Sequence, residues 1–344
     1  MDDASSIGAV VSALIGRRVA SVERVVAGRN SRVYRMTFAD GACYAVKHYL
    51  AATGRRGLDN EAAALRFLYA HGIRQTPRVI AIDRERGVGV YEFITGDPLG
   101  ADVTGADIDA AVDFVLRLDR LSCAGTGWDV PAAEAYFSLE GVVNNIETRL
   151  TRLRAVRADS PLHRDLHAFL EGRLNTVFAE VVEWGGGFLA GNQLSMAAEL
   201  GPDDRILSPS DFGFHNAIRQ PDGALVFVDL EYFGWDDPAK LVSDFLLHPA
   251  MNLPEAQKKR FTIRLCETLR GRDLLAKRLP VAYALFALKW CTILLNEFVP
   301  EHMARRRFAG DNRAEDGVLS GQLAKARAMC DRVANTYKDF PYGD

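Results

Sequence analysis

The chain has 344 residues, 48% apolar and 25% charged, with 42 basic side chains against 45 acidic ones and a formal net charge of −3. That length provides for a sizeable core in one large or two ordinary domains, and the composition is that of a soluble globular protein. The near-neutral balance, without a dense basic block, excludes nucleic acid as the main partner, and the five dispersed cysteines (Cys43, Cys123, Cys266, Cys291 and Cys330) lack metal-ligand spacing and fit a reducing compartment.

The start, Met1-Asp2-Asp3, is acidic where a signal segment carries positive charge, so a cytoplasmic protein is expected. A first helix is predicted over 5–16, closed by Gly16. Strands follow over 19–26 and 32–38, with a turn at Asp40-Gly41. The intervening turn, Ala27 to Ser31, offers backbone N–H groups that suit a phosphate, but Gly28 with Asn30 and Ser31 is equally an ordinary hairpin. A third strand, Cys43 to Tyr49, alternates so that Cys43, Ala45 and Lys47 share one face and Tyr44, Val46 and His48 the other. A lysine on an inward apolar face needs an anionic partner. The alternative is an edge-strand lysine in solvent; a following helix with Glu61 at the edge of its buried stripe favours the first reading. That helix is predicted over 58–70, with Leu58, Ala62, Leu65 and Leu68 at helical spacing.

Strands over 79–82 and 88–94 come next, and the Gly96-Asp97-Pro98 break places a boundary near residue 95, giving domains of 1–95 and 96–344. Beyond it the pattern turns helical, near 104–122, 132–156 and 160–184, with Gly185 to Gly187 expected to end the third helix in a loop. The triplet His163-Arg164-Asp165 has no asparagine five residues on and no strand with a terminal aspartate, so it is a charged helix patch. The run Val281 to Phe298 is interrupted by Lys289, Asn296 and Glu297, which argues for a buried helix and against a membrane partner. Further helices are expected near 254–271, 273–298 and 317–338.

The most informative stretch is 206–231. A short loop carries Asp211 and, five residues later, Asn216; a turn at Gln220 to Gly223 leads into an apolar run ending in Asp229 and Glu231. As a strand, that run puts Leu225, Phe227, Asp229 and Glu231 on one side. Buried carboxylates require a cation or hydrogen bonds. Asn216, Asp229 and Glu231 form an oxygen set suited to Mg²⁺, leaving Asp211 to orient a hydroxyl for attack on phosphate. Tyr232 to Pro238 is expected to be a turn, followed by a helix over 240–247.

Asp211, Asn216, Asp229, Glu231 and Asp237-Pro238 stand in the order of the catalytic loop H-G-D-x-H-x-x-N, the strand I-D-W-E and the G-D-P of the aminoglycoside phosphotransferase and choline kinase family, which the chain resembles over about residues 20–250. The chain departs from the pattern with Pro209 and Gly213 at the two histidine positions. The resemblance implies an α+β, two-lobed protein-kinase-like fold: a small antiparallel N-lobe sheet with one key helix, and a larger, mostly helical C-lobe. It implies transfer of a γ-phosphoryl group from ATP or GTP, with Mg²⁺, to a hydroxyl of a sugar, amino sugar or amino-alcohol-like metabolite. Asp211 would be the catalytic carboxylate. Nucleotide binding would fall to the 27–31 turn, Ala45, Lys47 held by Glu61, and the hinge Glu92-Phe93-Ile94; Asp244 would brace the catalytic loop. The lost loop histidine motivates the alternative of a nucleotide-binding pseudokinase with a regulatory or scaffolding role. Arg149, Arg152, Arg154, Arg157, Arg164 and Arg173, with Arg305 to Arg307 and Arg313, predict a neutral or anionic acceptor over a polycationic one.

Overall fold

The structure, a computed structural model, describes residues 3–25, 31–49, 55–100, 102–123, 125, 127–308 and 313–342. Its elements run α1 (Asp3–Ile15), β1 (Val19–Val25), β2 (Ser31–Phe38), β3 (Cys43–Tyr49), α2 (Arg55–Ala70), β4 (Val79–Asp83), β5 (Val88–Glu92) and the two-residue β6 (Asp97–Pro98). Helices α3 (Gly105–Ser122), α4 (Leu139–Arg154), α5 (Pro161–Phe169) and α6 (Asn175–Gly191) follow. Then come the short strands β7 (Ile206–Ser208), β8 (Ala217–Arg219), β9 (Leu225–Phe227) and β10 (Gly234–Asp236). The chain closes with α7 (Pro238–Leu247), α8 (Glu255–Thr268), α9 (Arg272–Leu294), α10 (Pro300–Phe308) and α11 (Glu315–Thr336). Two compact units result: residues 1–100, 214–233 and 304–312 form one, and 101–213, 234–303 and 313–344 the other.

In the first unit, β1-β2-β3-β5-β4 make one antiparallel sheet. Gly16, at φ +70°, ends α1, and the helix then covers one sheet face through Ile7, Val11, Tyr34, Met36, Phe38 and Val46. Alternation in β3 follows the expected register: Val46 joins this core, and Lys47 and Tyr49 turn toward Glu61 of α2. Helix α2 starts at Arg55, ahead of Leu58, and buries Leu58, Ala62, Leu65 and Leu68. A second small sheet, β6-β8-β9, closes on the turn at Gln220–Gly223, where Gly223 sits at φ +87°.

One expectation fails here. Strand β9 stops at Phe227, and Asp229 adopts φ +66°, a left-handed conformation that cannot continue a ladder. Asp229 and Glu231 therefore do not alternate with Leu225 and Phe227 on a strand face.

The second unit is mainly helical. Its aromatic core stacks Phe212 of the Asp211 loop between Phe114 of α3 and Phe245 of α7, with Phe245 against Phe261 of α8. Helix α4 begins at Leu139, not 132, because the preceding residues are spent otherwise: Ala132 donates to the Trp235 carbonyl and Ser138 caps the helix. The helix predicted near 160–184 continues through a π turn at Leu170–Leu174 to Gly191, straight across the three glycines. Gly185 is there for closeness, not for a loop: Met196 Cε and Val281 Cγ1 lie 2.7 Å from where its Cβ would stand. Residues 234–236, expected in a turn, form β10 and pair with β7. The apolar helix α9, extended through Phe298, is long and apolar enough to cross a membrane by composition, and 72% of that window is buried inside the protein.

Candidate active site

Lys47 is 8% exposed and Glu61 2%. The Lys47 Nζ donates to Glu61 Oε2 and to Asp229 Oδ1, each at 2.7 Å. Glu61 also accepts from the Tyr49 hydroxyl and, through Oε1, from the Leu230 amide at 3.3 Å, while Tyr49 and Tyr91 share a 3.1 Å hydroxyl contact. Helix α2 thus holds the segment after β9 as well as the β3 lysine. Burial alone pulls the Lys47 ammonium down, but Asp229, Glu61 and Glu231 outweigh it, so it is held well above its ordinary range and stays charged.

Glu231 lies beside Gly57 at the start of α2, and its carbonyl accepts from Asn60 Nδ2 at 2.8 Å. Burial, then the Asp229 charge, push its carboxyl up to about 7. The repulsion among the carboxylates of Glu61, Asp229 and Glu231 that raises Glu231 is one that a divalent cation would relieve. Asn216 adjoins: its carbonyl accepts from the Val228 amide at 2.8 Å, tying its backbone to the residue before Asp229. The donor set of Asn216, Asp229 and Glu231 therefore fits a hard oxygen-seeking metal such as Mg²⁺.

The remaining nucleotide candidates fall around this sheet. Ser31 starts β2 opposite Tyr49, Ala45 lies opposite Tyr91, and the Glu92 amide is donated to the Arg78 carbonyl. The Glu92 carboxylate pairs with Arg78 at 3.2 Å; Phe93 lies under the Arg35 guanidinium, and Ile94 is half-buried. Gly28 and Asn30 lie outside the described residues.

Asp211 is carried by the second unit on a tight loop. Ser210 precedes it at φ +67°, the Asp211 amide donates to the Pro209 carbonyl at 2.9 Å, and the Ser210 amide to Ser208 Oγ at 3.0 Å. A left-handed serine is costly unless its surroundings hold it. Here Lys240 Nζ donates to Ser210 Oγ at 2.7 Å, and Ser210 Oγ donates to the Ala133 carbonyl at 3.2 Å. Lys240 is itself buried against Asp236 at 2.5 Å and Asp244 at 3.5 Å. Burial raises the Asp236 carboxyl to about 6 against the pull of Lys240. Within α7, Lys240 is the residue bonded to Ser210 of the loop, and Asp244 is bonded to Lys240 and accepts from Trp290 Nε1 at 2.9 Å. At the end of α7, His248 brings Nε2 to 3.6 Å from Asp211 Oδ1. Asp237 caps α7 and pairs with the buried Arg278 of α9 at 2.6 Å.

The loop bonded to Ser210 carries a further cluster absent from the sequence reading. Glu134, at φ +52°, pairs with Arg149 of α4 and, at 2.9 Å, with Lys289 of α9. Burial raises the Glu134 carboxyl, but Lys289 and Arg149 outweigh it and bring it down to about 2. Lys240 had a signal available, since Asp236 and Asp244 each stand four residues from it, Asp236 at the end of β10 and Asp244 on the same face of α7. Glu134 had none, because its partners are distant in sequence.

A strand lysine tied to a glutamate on the next helix, with carboxylates gathered beside it, is the construction of the protein-kinase-like fold. The chain belongs to the phosphotransferase enzyme family, whose profile matches residues 21–276, and it is a phosphotransferase of the kinase type. Solved structures share the fold at low identity. The choline kinase LicA from Streptococcus pneumoniae is 16% identical with a TM-score of 0.58, over 95% of this chain and 98% of that one. The spectinomycin phosphotransferase APH(9)-Ia, solved with ADP and spectinomycin, is 11% identical with a TM-score of 0.64, over 98% of both chains. The amicoumacin kinase hAmiN, solved with AMP-PNP and Ca²⁺, is 17% identical with a TM-score of 0.61, over 96% and 94%. No curated protein sequence matches the chain.

Proposed function

We propose that this chain is a Mg²⁺-dependent small-molecule kinase of the cytoplasm that transfers the γ-phosphoryl group of ATP or GTP to a hydroxyl of a sugar, amino sugar or amino-alcohol-like metabolite. The observation that carries this is Lys47 suspended between Glu61 and Asp229 at 2.7 Å from each, a buried cation poised beside carboxylates. In this reading Lys47 binds nucleotide phosphate oxygens, Glu61 and the Tyr49 hydroxyl keep it aimed, and Asn216, Asp229 and Glu231 hold the metal. The bound cation would supply neutralisation of phosphate charge. Asp211 accepts the proton of the acceptor hydroxyl as the phosphoryl group moves.

The acceptor class rests on the second unit. A cavity of about 820 Å³ is bounded by the end of α7 and by α8, α9 and α11. Among the described side chains, none of the arginines singled out from the sequence lines it; Arg149, Arg154, Arg157 and Arg173 are taken up by Glu134, Asn175, Asp159 and Asp331. Its own charges are Lys258, Lys325 and Arg332 against Glu255 and Asp339. Such a wall lacks the acidic excess a polycationic antibiotic requires, and a neutral or anionic acceptor suits it better.

The test is a phosphate-transfer panel of sugars, sugar phosphates, amino sugars, amino alcohols and kanamycin, with ATP or GTP, with and without Mg²⁺. Metal-dependent transfer to a small hydroxylated metabolite is expected. Nucleotide binding without transfer to any acceptor would return the pseudokinase reading; efficient kanamycin phosphorylation would overturn the acceptor class.

A further inference from the structure

Helix α7 ends where the Asp211 loop lies. The His248 amide donates to the Asp244 carbonyl at 2.9 Å, fixing the backbone at the helix end. The imidazole stands edge-on to Trp290, with ring centroids 4.8 Å apart and planes at 89°, and Trp290 is itself anchored to Asp244. The ring therefore has little freedom to turn. Its two nitrogens have different neighbours. Nδ1 faces the Ala250 amide at 3.2 Å, and a backbone N–H can only donate, so Nδ1 must be the acceptor. In the neutral ring the proton then sits on Nε2, the nitrogen 3.6 Å from Asp211 Oδ1.

We propose that His248 is a positioning residue for Asp211, its Nε2–H directed at Oδ1 so that the other carboxylate oxygen is presented to the acceptor hydroxyl. The inference rests on the reading of Asp211 as the proton acceptor. At 3.6 Å the contact is longer than a hydrogen bond; catalytic hydrogen bonds are often long without substrate and tighten in the reacting complex. His248 also lines the 820 Å³ cavity of the second unit. No proton is transferred to His248: the hydroxyl proton passes to Asp211, the hydroxyl oxygen forms its bond to phosphorus, and the nucleoside diphosphate leaves. Donation from Nε2–H favours one rotamer of the Asp211 carboxylate before that step and hinders it from swinging away.

The experiment compares His248→Leu, His248→Gln and Asp211→Asn with the parent chain. Turnover is measured with MgATP and the best acceptor of the panel, or with MgATP and water if none is found. His248→Leu is expected to lower kcat by about 10- to 100-fold, less than loss of a general base itself, with ATP KM within about twofold. His248→Gln, whose Nε2 amide can donate from a similar place, is expected to recover most of that loss. Selective ¹⁵N-histidine labelling of the parent protein gives a readout independent of turnover: an Nε2–H tautomer for His248 whose resonances move in Asp211→Asn. Full kcat in a folded His248→Leu alongside an inactive Asp211→Asn would overturn the inference and leave the catalytic reading standing. An Nδ1–H tautomer in the parent would overturn it as well. Activity in Asp211→Asn would instead remove the reading on which it rests.

Discussion

Asp211 stands on a loop whose backbone is fixed on both sides, by Ser210 at φ +67° and by Phe212 in the aromatic core. Asp211→Asn keeps that shape and removes the proton acceptor. Transfer should fall by about two orders of magnitude or more while nucleotide binding persists. Turnover near the parent's, measured against titration calorimetry with nucleotide, would reject the assignment. Lys47 makes a second residue-scale case. Its ammonium sits among the carboxylates of Glu61, Asp229 and Glu231, whose charges together hold it protonated. Removing a charged hydrogen-bond donor costs about 1.5–3 kcal/mol, so Lys47→Ala should lower kcat/KM for ATP by about 10- to 100-fold. Glu61→Gln should do the same more weakly, because Asp229 still holds the lysine. Equal nucleotide kinetics in Lys47→Ala and the parent would show that the ion pair is structural alone.

At the scale of elements, the reading from sequence succeeds where a local period fixes the outcome. Strand β3 has both its bounds and its facing pattern set by alternation, and helix α2 has its buried stripe set by spacing. It fails where a tertiary contact overrides a local signal. Asp229 leaves the strand because it meets Lys47, a partner 182 positions away, from a left-handed backbone that no alternation rule foretells. Gly185 to Gly187 read as a helix end, yet α6 runs through them because α9 packs at Gly185. That contact is open to test. Gly185→Leu forces Met196 and Val281 apart and should cost about 1–3 kcal/mol as an overpacked core position. Gly187→Ala, with nothing within 4 Å of its new methyl, should gain about 0.5–1 kcal/mol from the lower backbone entropy of the unfolded helix residue. Urea unfolding of both variants decides; equal loss in the two would mean that the glycines end the helix after all.

For the whole molecule, the buried and half-buried ion pairs of the second unit set how folding responds to acid. Glu134 is brought down to about 2 by Lys289 and Arg149, and Asp109 on α3 to about 2 by hydrogen bonds from Arg260 and Arg264 of α8. Both ordinarily titrate near 4. A carboxylate depressed on folding stabilises the native state above its unfolded value, and that contribution is lost as pH falls toward the folded value. Asp236 has the opposite sign: raised to about 6, it binds its proton more tightly when folded, so its contribution improves as pH drops from about 6 toward 4. The sum should be a modest rise in stability as pH falls from about 6 to about 4.5, then a steep loss from about 4.5 to 2 as Glu134 and Asp109 are protonated. Glu134→Gln separates the contributions. It keeps the shape but leaves Lys289 buried without its anion, so the variant should be less stable than the parent at pH 7. Its curve should approach the parent's as pH falls to about 2, where the parent's own Glu134 is losing its charge. Urea midpoints taken at half-unit steps from pH 7 to 2 test this, and a constant offset between the two curves down to pH 2 would show that Glu134 acts through packing and not through charge.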